Sequence, residues 1–176
     1  LAVFLPVTFL VILIIIFFLF RHPLYTFLPV GIAAVGTIWT AGLMSILGRP
    51  LSTVSIVMPS IILVIGTTYI IYLLGQYIYE LEYGTPKDKL AENTVSHIAI
   101  AIPLAGITTA LGFGSLGLSS IPTVREFGLF TSFGVIICCF LALSVGPAFL
   151  SIVPLPRGSV KRTIPTKFIQ KISFFN

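Results

Sequence analysis

The sequence predicts an all-α fold, a polytopic bundle of transmembrane helices with five spans. Three observations carry this. Hydrophobic residues make up 57% of the 176 and charged residues only 9%, with a mean hydropathy of +1.13. A soluble domain ordinarily carries about 25% charged residues. The apolar residues also fall in runs long enough to cross a hydrocarbon core of about 30 Å, and Leu51 to Tyr79 holds no charged side chain at all. Lastly, proline, glycine and charge gather between the runs, where turns belong.

The first span is expected over about Ala2–Phe20, ending at Arg21-His22-Pro23, with Pro6 near its start where proline costs least. The second covers about Leu24–Leu47. Its small residues Gly31, Ala33, Ala34, Gly36, Ala41 and Gly42 allow close helix contact. Gly48-Arg49-Pro50 reads as a tight turn, and Ser52 or Thr53 as a cap for the next helix.

The third span begins near Leu51 and should reach about Tyr83, with Gly84 as its stop. Tyr77, Tyr79 and Tyr83 sit where an interfacial aromatic belt would lie. Thr68, Tyr72, Gln76 and Tyr79 are spaced by four, four and three residues and share one helix face. Lipid does not reward such a face, so it should point into a bundle or a cavity. Thr85-Pro86-Lys87-Asp88 reads as a threonine cap, a first-turn proline and an acid, opening a polar helix over about Pro86–His97. That helix leads into a fourth span, about Ile98–Leu118, which Pro103 should kink.

A short turn at Ser119–Ile121 precedes Thr123-Val124-Arg125-Glu126, a capping-box pattern opening a fifth span, about Phe127–Val153. Pro154 and Pro156 end it. Residues 1–156 thus form the membrane domain, and 157–176 a basic segment. In that tail Ile164, Phe168, Ile169, Ile172 and Phe175 recur at helical spacing, as in a helix lying on the membrane surface or the lead-in to a further span.

The net charge of +5 is informative by position and is not read as a nucleic-acid footprint. With the first span entering from outside, the inner segments hold eight basic residues: Arg21, Lys87, Lys89, Arg157, Lys161, Arg162, Lys167 and Lys171. The outer ones hold two, Arg49 and Arg125. This bias places residue 1 outside and residue 176 in the cytoplasm. The outer loops are too short for a domain, so an extracytoplasmic domain would precede Leu1 or follow Asn176. No basic region precedes the first apolar run, as a cleavable signal would need. The chain reads as a piece of something longer.

Chemical signatures are few. Gly112-Phe113-Gly114-Ser115-Leu116-Gly117 matches G-x-G-x-x-G, but it has no strand before it and lies in an apolar span. Its glycines are read as sites of close packing or bending. Cys138 and Cys139 are adjacent, cannot easily bridge, and lack metal-ligand spacing, so they are read as packing residues. His97 is read as an interfacial histidine. Thr108 and Thr109 lie at mid-depth, either bonding a carbonyl of their own helix or facing the polar stripe. Tyr69 and Tyr72 lie deeper than Tyr79, and their hydroxyls need partners, structural or functional. The acids Glu80, Glu82, Asp88, Glu92 and Glu126 all fall at span ends or in loops. No carboxylate pair, metal cluster or activated nucleophile is present, so neither an enzyme active site nor a cofactor is expected.

The order of these features resembles one half of a transporter of the resistance-nodulation-division (RND) superfamily, in the MMPL-like branch of predicted exporters. Three blocks carry the resemblance. The first runs from Ile65 to Leu74 (IGTTYIIYLL) with Gln76-Tyr77 and Gly84; the second from Thr108 to Leu116 (TTALGFGSL). The third runs from Ile121 to Gly128 (IPTVREFG), with Gly146-Pro147-Ala148-Phe149-Leu150 closing the last span. The chain would supply helices two to six of a six-helix half, the unit called a sterol-sensing domain in eukaryotic relatives.

The resemblance implies a parent of two halves with large extracytoplasmic domains, moving lipids or other hydrophobic molecules at the expense of protons. It also implies an intramembrane acid on the third span. Here Thr68 holds that position, and Tyr72 holds one where many exporters carry histidine. Neither exchanges a proton readily near pH 7. The expected role is therefore a non-titrating half in a prokaryotic cytoplasmic membrane. Thr68, Tyr69, Tyr72, Gln76, Thr108 and Thr109 are the candidate relay-contact residues. The alternative is a lipid-sensing module that transports nothing.

Overall fold

A computed structural model of the chain describes residues 4–20, 23–49 and 55–152. The described residues form five α-helices: α1 Phe4–Phe20, α2 Pro23–Ile46, α3 Met58–Glu82, α4 Lys87–Ser115 and α5 Pro122–Ile152. Single 3-10 turns, Ser55–Val57 and Leu116–Leu118, precede α3 and follow α4. The expected membrane bundle is what the chain adopts, and no strand occurs among the described residues. Four helices are long and apolar enough to cross a membrane; α1, at 17 residues, is shorter. The basic tail, Arg21 and the Ser52/Thr53 cap lie outside the described residues.

The boundaries follow local chemistry. Gly48 and Gly84 take left-handed φ values of 63° and 85° after α2 and α3, a conformation a Cβ would strain. Pro59 sits in the first turn of α3, where its missing N–H costs nothing.

Two boundary expectations are corrected, at the starts of α4 and α5. The polar helix leads into the fourth span as expected, in one helix, Lys87–Ser115, which continues through Pro103. Thr85 does not cap it: Pro86 takes the N-cap position without a side-chain bond, and the Thr85 hydroxyl turns back to Glu80. α5 begins at Pro122, ahead of the expected Phe127. That places Thr123 inside the helix and frees Glu126 to pair with Arg49 of the α2–α3 connection at 3.1 Å.

α3 and α5 form the centre: α5 touches α2, α3 and α4, and α3 touches all four other helices, with α1 leaning on α2 and α3. The core holds Ile16, Met44, Met58, Ile62, Ile70, Leu73, Leu74, Ile98, Ile102 and Val135, each no more than 2% exposed. The closest approaches are made by glycine and sulfur. Cys138 Sγ fills the space beside Gly36 of α2 and Gly66 of α3; a Cβ on Gly66 would sit 2.9 Å from it. Cys139 Sγ fills the corresponding space beside Gly106 of α4, 2.8 Å from a Cβ built there, and its thiol donates to the Ile102 carbonyl at 3.7 Å. The two thiols are thus packing residues, turned toward different neighbours as the ~100° step between helix neighbours requires. In the glycine-rich block, Gly114 packs on Ser132 and Gly117 on Leu129, whereas Gly112 meets nothing.

Candidate functional site

α3 has two unlike faces. Ile62, Leu63, Gly66, Tyr69, Ile70, Leu73, Leu74 and Tyr77 turn into the bundle and are buried. Their recurrence at three- and four-residue steps is the apolar stripe that seats a helix on its neighbours. The opposite side carries Val64, Thr68, Tyr72 and Tyr79, all exposed, with Gln76 half-buried beside them. The polar stripe therefore forms as its spacing requires, but it does not point into this bundle. The large aliphatic residues outbid it for the interior.

The candidate residues divide accordingly. Thr68 is exposed, and its hydroxyl donates to its own helix at Val64 O, 2.8 Å away. Tyr72 is 48% exposed. Gln76 donates from Nε2 to Glu80 Oε1 at 3.4 Å. Tyr79 stacks on Tyr83 with ring centroids 5.5 Å apart. These two tyrosines remain on the surface as belt residues would, but Tyr77 does not: it is 2% exposed, inside the core.

Tyr69 belongs to the other face. It is 6% exposed, beside Thr109, Gly106 and the cysteine pair. Its hydroxyl, like those of Ser60 and Thr131, completes no hydrogen bond of full geometry. Thr109 donates to Ala105 O at 2.7 Å, and Thr108 to Leu104 O at 2.9 Å. Both are committed to their own helix, the first of the two alternatives the sequence left open. The six candidates are thus not one cluster. Thr68, Tyr72 and Gln76 line an outer face, Tyr69 and Thr109 an inner contact, and Thr108 is exposed apart from that contact.

One polar group escaped the sequence reading. Glu80, at the α3 end of the turn to α4, is 7% exposed and accepts from Gln76 and Thr85, with His97 Nε2 3.5 Å from Oε1. The signal available was its register: four residues past Gln76, it extends the stripe by one turn. No group of three or more potential metal ligands occurs among the described residues.

A bundle of long apolar helices with small-residue contacts between them is the architecture of a polytopic membrane domain. A family model described as the MMPL family matches residues 1–166. The chain belongs to the MMPL family, a branch of the RND superfamily. It is also similar to "Putative membrane protein MJ1562" of Methanocaldococcus jannaschii, with 33% identity over 141 residues. That alignment takes in 80% of this chain but 36% of the relative, so the chain spans little more than a third of the curated protein it matches.

Proposed function

We propose that this chain is the membrane domain of an exporter of lipids or other hydrophobic molecules, and that it is the non-titrating half of a proton-coupled pair. The observation that carries this is the outward placement of Thr68 and Tyr72 in an MMPL-family domain. Polar groups on the flank of a span are costly against lipid and gain from a partner helix. The partner proposed is the matching helix of a second half, whose acid Tyr72 and Thr68 would orient or hydrate. Tyr69 and Thr109 would hold the inner side of α3 while its outer side meets that acid.

In this reading the protein lies in a prokaryotic cytoplasmic membrane with residue 1 outside and residue 176 inside, and is not an enzyme. Rocking of one half against the other around mid-depth polar groups would pass work to an extracytoplasmic domain. The absence of a carboxylate between Leu51 and Tyr79 favours a second reading, a lipid-sensing module.

The test is transport by the full-length parent in proteoliposomes under an imposed proton gradient. Tyr72→Phe should lower proton-driven flux about tenfold, the worth of one hydrogen bond to a charged group. Unchanged coupled flux removes the role. Saturable lipid binding with no flux in the unaltered parent would favour the sensing module.

A further inference from the structure

Three helices carry a proline beyond their first turn: Pro29 in α2, Pro103 in α4 and Pro147 in α5. Each takes one N–H out of the ladder, the one that would reach Tyr25, Ala99 or Leu143 four residues earlier. In α1 and α3 the proline falls within the first turn, where no ladder bond is lost.

Contacts between the helices set the depth of each proline. Cys138 of α5 lies level with Gly36 of α2 and Gly66 of α3. α2 runs opposite to α3, since Thr40 and Ile62 both meet Gly134, one turn from Cys138. Pro29 is two turns from Gly36 and Leu73 two turns from Gly66, both toward the α3–α4 turn, so the two are level. Pro147 lies beside them: a Cβ on its neighbour Gly146 would sit 2.6 Å from Leu73. Pro103 is one turn from Gly106, which packs on Cys139 and approaches the hydroxyl of Tyr69, itself one turn before Leu73. At 1.5 Å per residue, the three prolines fall within one band roughly 9 Å deep across the bundle.

The packing changes at this band. On the side away from the turn, Gly36, Gly66, Gly106, Gly117, Gly128 and Gly134 each leave less than 3.0 Å for a Cβ. Beyond Gly146 on the turn side, no described glycine makes such a contact. Instead a gap too narrow for water separates α3, α4 and α5, lined by Leu73, Ala91, Thr94, Val95, Pro147 and Leu150. Thr94 donates its hydroxyl to the Leu90 carbonyl at 2.7 Å, so it makes no bond across the gap. A void that water cannot fill costs its lining part of its contacts, so the helices are held less firmly there.

We propose that the proline band is a hinge common to α2, α4 and α5. Their segments on the turn side tilt about it together, against α3, and so close or open the gap. α3 has no proline at that depth and is the fixed member. The tight glycine contacts hold the other side as one block. A break in a single helix would be opposed by its packed neighbours, whereas breaks at one depth let the neighbours yield with it. This hinge goes beyond the exporter reading and does not depend on it, because every part of it lies within this chain.

The test is amide hydrogen exchange of the full-length parent in lipid nanodiscs, each variant compared with the native protein segment by segment at one pH. Pro147→Ala restores the bond to Leu143 and should slow exchange around it in α5 by roughly two- to tenfold, the worth of one hydrogen bond. A shared hinge requires more. The same substitution should also slow exchange in residues 91–102 of α4 and 23–30 of α2 by roughly twofold, because a common opening motion is lost. Pro103→Ala should act likewise on the end of α5. Residues 108–115 of α4, on the far side of the band, should not change. Slowing confined to the substituted helix would mean three separate kinks and overturns the shared hinge, as does no slowing anywhere. Should one variant not fold, the other decides alone.

Discussion

Single atoms set the tightest tolerances in this bundle. Cys138 Sγ occupies the place where a side chain on Gly36 would begin, so Gly36→Val should lower the unfolding midpoint in detergent, at a cost of about 1–3 kcal/mol. Pairing it with Cys138→Ala should recover part of the loss, since the clashing atom is removed; independent, additive losses would show that the contact is not tight. Tyr69 makes the opposite case. Its buried hydroxyl has only a loose contact with Thr109, so Tyr69→Phe should change stability by no more than about 1 kcal/mol in the same assay. At this scale the sequence was half legible. Small residues and thiols announced close packing, but only three-dimensional register reveals that adjacent cysteines serve different glycines.

At the scale of the element, α3 shows what a period can and cannot tell. The spacing of Thr68, Tyr72, Gln76 and Tyr79 was enough to place them on one flank. It could not say whether that flank turns in or out, because Ile65, Ile70, Ile71, Leu73 and Leu74 around it are apolar enough for either side. The choice falls to packing: Leu73 and Leu74 are 0% exposed while Tyr72 beside them is 48%. Leu73→Ala should therefore cost about 2–5 kcal/mol by thermal unfolding, and Tyr72→Phe less than about 1 kcal/mol. A stability loss at Tyr72 equal to that at Leu73 would mean the ring is buried within this chain. The ends of the helices were the least legible part. Thr85 has the chemistry of a cap and the position of one, but the Glu80 carboxylate is the better acceptor for its hydroxyl. Likewise Glu126 engages Arg49 across the bundle rather than its own first turn; that pair is 55% exposed at the arginine, so Arg49→Ala should change stability by no more than about 1 kcal/mol.

The whole molecule is the level best read in advance. Composition alone excluded a soluble fold, and the apolar runs laid out the helices in order, because a span must satisfy its backbone internally. What composition could not supply is the partner of the exposed flank. If α3 meets a second half there, Thr68→Cys in the full-length parent should form an oxidative cross-link with a cysteine on the matching helix, visible as altered migration on a denaturing gel. Labelling of that cysteine by bulky lipophilic maleimides with no cross-link at any paired position would leave α3 facing lipid.

The sulfur-in-glycine contacts also bear on how such a domain can move. α5 carries its two thiols in notches cut into α2, α3 and α4. Sliding it by one turn, about 5.4 Å, would lift both sulfurs out and press larger side chains onto glycine backbone. The helices are keyed like a shaft in its slot: free to tilt together, barred from slipping past one another. A chemical group added to Cys139, the less buried of the two, would act as a shim driven into that keyway.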